Sequence, residues 1–187
     1  TPLRDMVRAA LANAGAVRID HILGMFRLWW IPEGRAATEG TYVYYDHEAM
    51  MGVILLEAQR AGAVVIGEDL GVVEPWVRDY LRDRGVLGTS VVWFEKEGGG
   101  WPLRPEHYRD RALAAVNIHD LPPTLGYIRG IQTTLRGELG LLTDDIETVR
   151  AGDRQELERV AARLHEYGCL DGAEPSEREM VEGLYRY

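Results

Sequence analysis

Ala63-Val64-Val65-Ile66-Gly67-Glu68-Asp69-Leu70-Gly71 packs an unbroken apolar run, a glycine and two adjacent carboxylates into nine positions. A short run of β-branched residues without polar alternation reads as a strand buried on both faces, the kind found in parallel sheets covered by helices. Upstream, Asp46 can cap a helix over His47 to Arg60 that Gly62 ends. Downstream, Pro75 to Arg84 reads as a helix with Gly85 behind it. Further out, Ala16-Val17-Arg18-Ile19-Asp20 reads as a strand with a polar end, preceded by a helix from Pro2 to Asn13 with Thr1 as its cap. Thr89 to Phe94 and Leu113 to Asn117 complete a set of strands, the last running into Ile118-His119-Asp120. Ile22 to Tyr45, rich in Trp, Tyr, Gly and Pro, reads as a long loop, and loops of that length commonly serve a site.

Alternation of strand and helix implies a parallel sheet with covered faces, hence an α/β fold. An open nucleotide-binding sheet would place a Gly-rich phosphate turn after its first strand. Here the strand ends carry carboxylates, as in barrels that gather catalytic residues from several strand ends. A full barrel takes roughly 250 residues and eight strands. This chain offers about half, so the expectation is a partial (β/α)8 barrel with four parallel strands and a helical tail. Residues 1–130 are expected to form the partial barrel and residues 131–187 a helical segment of the same catalytic domain. Within the tail, helices are expected over Pro123 to Arg129, Gln132 to Leu139, Gln155 to Tyr167 and Ser176 to Tyr185, the last opening on a Ser176/Glu179 capping box.

The composition, 46% hydrophobic and 27% charged, is that of a globular chain with a real core. A net charge of -9 with scattered basic residues argues against nucleic acid and anionic lipid as partners, and suits a neutral substrate. No apolar run is long enough to span a bilayer. The lone Cys169 allows no intrachain disulfide and leans towards a reducing compartment, so a cytoplasmic location is expected. The chain opens on Thr1-Pro2, a helix start without an initiator Met, which is read as a hint of truncation.

Asp20, Glu68 and Asp120 each close a strand. Cleaving a glycosidic bond takes two carboxyl groups, one to donate a proton and one to attack or stabilise the anomeric carbon. Any one of these acids could be a helix cap or a loop carboxylate; the joint pattern is harder to explain that way. Arg18 leaves β-structure on the same face as Asp20 and can hold it ionised and oriented, or form a structural ion pair. His21 can donate to a substrate or fill the turn. Adjacent Glu68 and Asp69, by repulsion and partial burial, are expected to raise the pKa of one of the two, as a general acid requires; alternatively Asp69 caps a turn and Glu68 faces solvent. Trp29, Trp30, Tyr42, Tyr44, Tyr45 and Trp93 lie on or beside the site loops, where aromatic faces could pack against sugar rings. Core packing is assigned to Trp93 and to one of Trp29 or Trp30.

Taken in order and at this spacing, Arg18-Ile19-Asp20-His21, Gly67-Glu68-Asp69-Leu70-Gly71 and Asn117-Ile118-His119-Asp120 resemble glycoside hydrolase family 77, the 4-α-glucanotransferases related to the α-amylase superfamily. Phe26-Arg27-Leu28-Trp29-Trp30-Ile31-Pro32-Glu33-Gly34 and His119-Asp120-Leu121-Pro122-Pro123-Thr124 are similar to its actinobacterial branch. The resemblance is strong to about Leu142 and looser beyond. It implies Asp20 as nucleophile, Glu68 as general acid/base and Asp120 as transition-state stabiliser, with Arg18 and His119 as supporting contacts. His21, Asp69, Trp30 and Tyr42 complete the candidate substrate-binding set. It also implies maltooligosaccharides or α-glucan as substrate, retention of configuration, and no metal or organic cofactor. Family members carry strands before and after the segment matched here, so a chain this short is expected to be inactive or to complete itself by self-association through open barrel edges. Two rival readings remain open at this stage: an α-amylase-like hydrolase and a non-catalytic glucan-binding fragment.

Overall fold

Each strand–helix unit in the first half of the chain begins and ends where the local chemistry dictates. In the computed structural model, which describes residues 1–172 and 174–187, helix α1 spans Pro2–Leu11 and strand β1 spans Ala16–Ile19. Strands β2 and β3, Arg27–Trp30 and Thr41–Tyr44, precede helix α2 at His47–Ala61. The Asp46 side chain accepts the Ala49 N–H, and Gly62 at φ 64° closes α2 in the left-handed conformation that glycine adopts without steric cost. Strand β4 covers Val64–Gly67 and helix α3 Pro75–Asp83. Strand β5 is Gly88–Val91, the short pair β6 and β7 is Lys96–Glu97 and Trp101–Pro102, and β8 is Ala112–Ala115. Helices α4 Thr124–Ile128, α5 Ile131–Glu138, α6 Ile146–Glu166 and α7 Glu177–Arg186 follow.

The chain folds as two compact units, Thr1–Thr89 with Asp110–Leu113, and Ser90–Arg109 with Ala114–Tyr187. In the first unit β1 and β4 run parallel with Ala16 opposite Val64 and Ile19 opposite Gly67. The sheet continues as a parallel bridge from Ile66 to Leu87, where the Leu87 N–H donates to the Val65 carbonyl and the Gly67 N–H to the Leu87 carbonyl. Strand β5 pairs with β8. Apolar residues of α1, α2 and α3 cover the sheet, with Leu11, Met51, Ile54, Val65, Val77 and Leu81 in one buried cluster. Burying such side chains contributes about 1.5–3 kcal/mol each before entropy is counted. Where α1 meets α2, the nearly buried Glu57 accepts both Arg8 nitrogens at 2.8 and 3.0 Å and Arg60 at 2.8 Å. The Arg8 guanidinium, foremost among these, holds the Glu57 carboxyl below the ordinary glutamate range.

In the second unit α6 and α7 bury Val160, Leu164, Met180 and Leu184. Gly183 lets α7 approach closely, because a Cβ there would meet Leu170 Cδ2 at 3.0 Å. Arg163 is buried on α6 and offsets its charge against Glu97 at 2.5 Å and Glu166 at 2.7 Å. Trp93 stacks on Tyr127 with ring centres 3.9 Å apart. Ser176 and Glu179 form the expected capping box at the start of α7.

Two expectations need correcting. Ile22 to Tyr45 is no irregular loop: β2 and β3 pair as an antiparallel ribbon, Arg27 opposite Tyr44 and Trp30 opposite Thr41. Its aromatic strands lack the polar alternation that marks a half-buried ribbon, so the period-2 signal was weak. Helix α6 starts nine positions ahead of Gln155 because Asp145 caps it, accepting the Glu147 and Thr148 N–H groups at 2.9 and 3.2 Å. That cap outweighs Gly152 inside the helix, a cost of only about 1 kcal/mol.

The end of β4 is sterically closed. A Cβ on Gly67 would lie 2.6 Å from Cδ1 of Ile22, itself fully buried. Gly67→Ala is therefore expected to lower the unfolding free energy by about 1–3 kcal/mol, measured by urea denaturation. Unchanged stability would show that Ile22 repacks freely.

Candidate active site

Parallel register carries Ile19 of β1 beside Gly67 of β4, so Asp20 and Glu68 emerge from the same end of neighbouring strands. The two ends are then tied together. The Glu68 N–H donates to the Ile19 carbonyl at 2.9 Å, and the Ile22 N–H to the Glu68 carbonyl at 3.1 Å. The Glu68 side chain joins in: one oxygen accepts the His21 N–H at 2.9 Å and the other the Leu70 N–H at 2.8 Å. Glu68 is 8% exposed, so these two charge-assisted bonds fix its rotamer in a largely dry setting.

Asp20 is more open, with 41% of its side chain exposed, and it pairs with Nη1 of Arg18. Residues 18 and 20 share a face of the extended chain, as the spacing required. Nη2 of Arg18 is buried and has no hydrogen-bond partner among the described residues. His21 holds φ 48° and ψ 49°, a left-handed conformation uncommon in a residue with a Cβ. Such strain persists only where the surroundings enforce it, and here the Glu68 carboxylate and the Ile22 anchor do so.

Glu68 and Asp69 are held by different partners. Asp69, 2% exposed, accepts the Thr89 N–H at 2.9 Å through Oδ1, and its Oδ2 lies 3.6 Å from Nε of Arg78. Thr89 Oγ1 in turn donates to the Gly67 carbonyl at 3.1 Å. Asp69 thus fastens β5 to the end of β4. The alternative in which Glu68 faces solvent does not hold, since Glu68 is buried.

The ribbon β2–β3 presents the aromatic residues. Trp29 is 45%, Trp30 55% and Tyr42 47% exposed, so neither tryptophan fills the core as expected; only the Trp93 assignment, at 3% exposure, is met. The indoles are instead braced at their N–H groups: Trp29 donates to the Ala37 carbonyl at 3.0 Å and Trp30 to the Tyr45 hydroxyl at 2.8 Å. Gly40 makes room for Trp29, since a Cβ there would sit 2.4 Å from the indole nitrogen.

Asp120 belongs to the second unit, just beyond β8. His119 Nε2 lies 3.4 Å from Asp120 Oδ1. The turn that carries them is pinned by Asn117, whose side-chain oxygen accepts the Ile118 N–H at 2.8 Å and whose amide donates to the Pro122 carbonyl at 2.6 Å. An Asn two residues past the end of β8 and five before the Pro122-Pro123 pair is the sequence signal for such a pinned turn. Among the described residues no group of His, Cys, Asp and Glu is arranged to hold a metal ion, and no helix is long and apolar enough to cross a membrane.

A family model described as 4-alpha-glucanotransferase, glycoside hydrolase family 77, matches residues 1–187. The chain belongs to that family. It is 56% identical over 191 residues to the 4-alpha-glucanotransferase of Mycobacterium tuberculosis (strain H37Rv), covering 100% of this chain and 26% of that protein. The 4-alpha-glucanotransferase of Haemophilus influenzae is 35% identical over 145 residues, 78% of this chain and 21% of its own length. The crystal structure of amylomaltase from Corynebacterium glutamicum superposes with a TM-score of 0.90 at 42% identity, covering 98% of this chain and 27% of the other. The chain therefore spans about a quarter of the length of the curated relatives it matches. An amylomaltase from Streptococcus agalactiae, at 18% identity and a TM-score of 0.62, shares the fold.

The tie between Glu68 and the two N–H groups can be tested apart from any activity. In hydrogen exchange, the His21 and Leu70 amides of the wild-type chain are expected to be protected. Glu68→Ala should raise both exchange rates by about ten- to a hundredfold, the loss of a hydrogen bond to a carboxylate worth about 1.5–3 kcal/mol. Equal rates in the two proteins would remove the side chain from this role.

Proposed function

We propose that this chain carries the catalytic portion of a 4-α-glucanotransferase, which moves α-1,4-glucan segments between maltooligosaccharides with retention of configuration. The observation that carries the reading is the Asp20–Glu68 pairing: two carboxylates on adjacent parallel strand ends, one open and ion-paired, the other buried and held by two backbone N–H groups. Membership of the family supports the substrate class. The proposed frame is a partial (β/α)8 barrel over residues 1–130, with 131–187 as a helical part of the same domain.

In the first step an Asp20 oxygen attacks the anomeric carbon as the bond from that carbon to the glycosidic oxygen breaks. Glu68 gives its proton to the departing oxygen, leaving a covalent glucosyl ester on Asp20. In the second step the 4-hydroxyl of an acceptor sugar attacks the same carbon, Glu68 takes the hydroxyl proton, and Asp20 leaves as the carboxylate. The Arg18 guanidinium pairs with Asp20 and keeps it aimed. Each Glu68 oxygen keeps a lone pair beyond the N–H it accepts, so the group can carry a proton without releasing its backbone hold. Asp120, with His119 against it, stabilises positive charge on the sugar ring in the transition state. Tyr42 on one face of the β2–β3 ribbon and Trp30 on the other offer half-exposed aromatic surface to sugars, and His21 offers its imidazole beside the attack site. Asp69, buried against Thr89 and Arg78, contributes by holding the strand ends in place. The single buried cysteine and the acidic, scattered charge agree with cytoplasmic carbohydrate metabolism.

The test uses the full-length protein. Wild-type protein incubated with maltotriose is expected to yield glucose together with chains longer than the substrate, whereas a hydrolase would only shorten it. Asp20→Asn should reduce transfer by about three orders of magnitude or more. Transfer that survives this change would remove Asp20 as the nucleophile.

A further inference from the structure

Arg27 opens β2 directly across from Tyr44 of β3, and its guanidinium is engaged on three sides. Nη1 lies 2.6 Å from Oε1 of Glu74 and donates to the Tyr44 hydroxyl at 3.3 Å. The guanidinium carbon stands 3.9 Å from the centre of the Tyr42 ring, in range for a cation–π contact. Glu74, the residue before α3, uses its other oxygen to accept the Trp76 indole N–H at 2.6 Å. Tyr42 meets Trp29 edge to face at 5.0 Å. A continuous chain of contacts, Trp29–Tyr42–Arg27–Glu74–Trp76, thus links the outer aromatic face of the ribbon to the start of α3. A cavity of about 110 Å³ lies along it, lined by Phe26, Arg27, Tyr42, Tyr44, Glu74 and Trp76 among others.

Alternation in a paired ribbon places Arg27, Trp29, Tyr42 and Tyr44 on one face. A two-stranded ribbon is at best marginal alone and needs an outside anchor to hold one position. At its base the Tyr45 N–H donates to the Phe26 carbonyl at 3.0 Å, which closes the ribbon beside the buried Phe26 ring. The Arg27–Glu74 pair joins the ribbon to the segment that runs on from Glu68 through Leu70 and Val72. Arg27 and Glu74 are 21% and 34% exposed, so water screens the pair only in part.

We infer that Arg27 and Glu74 form a positioning latch, which holds the aromatic face of β2–β3 at a fixed reach from the Glu68 strand end and so sets the enzyme's preference for longer glucans. The inference rests on the transferase reading above. Sugars flanking the bond to be cleaved bind at the strand ends whether or not the ribbon is held. More distant sugars gain from Trp29 and Tyr42 only if the ribbon is already in place, because ordering it on binding would cost conformational entropy. The latch contributes binding shared by ground and transition states, and its loss should appear in KM for long chains and leave kcat little changed.

The experiment compares maltotriose and maltoheptaose as substrates for the full-length protein carrying Arg27→Gln, Glu74→Gln or both. In each single variant KM for maltoheptaose should rise about fivefold, with KM for maltotriose and both kcat values within about twofold of wild type. The double variant should be no worse than either single one, the mark of one shared interaction. Arg27→Lys, which keeps a charge facing Glu74, should recover part of the maltoheptaose KM. A proportional change for both substrates, as from general loss of folded enzyme, would overturn the latch, and so would no change for either. Absence of transfer products from wild-type protein would instead defeat the transferase reading and the latch with it.

Discussion

Where β1 and β4 end, hydrogen bonds cross repeatedly between the same two segments: Glu68 N–H to the Ile19 carbonyl, Ile22 N–H to the Glu68 carbonyl, and His21 N–H to the Glu68 carboxylate. The first continues the parallel ladder; the others occur where the ladder would normally stop. They turn the chain sharply at His21, which accepts a left-handed backbone to do so, and they bring Ile22 down onto Gly67. Only glycine at position 67 permits that approach. The consequence is that the residue just before the turn, Asp20, and the residue that receives it, Glu68, have little freedom to move relative to each other. In a reaction whose two carboxyl groups must act on one anomeric centre, such fixing of geometry is what converts binding into rate.

Around this tie the two carboxylates are treated differently by the same few residues. Glu68 is buried and held by backbone donors; Asp20 is open and faces Arg18. Asp69, though adjacent in sequence, alternates to another direction and is spent on Thr89 and Arg78. That division follows from the partners each side chain meets just beyond the end of β4. It gives one acid a protected setting suited to proton transfer and the other an exposed one suited to attack, while the third keeps the strand ends in register.

Much of this was legible in the residues. The stretches Val64–Ile66 and Ala16–Ile19 announced paired parallel strands, although Val64, at 45% exposure, leaves one face of β4 less covered than its apolar run implied; Asp46 and Gly62 bounded α2, and Ser176 with Glu179 announced α7, because each rests on local backbone chemistry. Acids at strand ends were legible for the same reason. What escaped was set by distant contacts. The ribbon β2–β3 depends on cross-strand pairing and on glycine at position 40 beneath Trp29, neither of which leaves a periodic trace. The exposure of both Trp29 and Trp30 escaped for the same cause, as did the partner of Arg27, which lies 47 positions on at Glu74. The early start of α6 was a local signal, Asp145, masked by the glycine at 152.

The central claim is that Asp20 forms the covalent bond to sugar while Glu68 serves the leaving group. Mass spectrometry of the full-length protein carrying Glu68→Gln, treated with an α-maltosyl fluoride, addresses it most directly. Fluoride leaves without a proton, so the first step proceeds, while the second step stalls without its base. The account predicts a stable maltosyl adduct mapped to the peptide containing Asp20. An adduct on any other carboxylate, or hydrolysis and transfer at wild-type rates with no adduct at all, would contradict it.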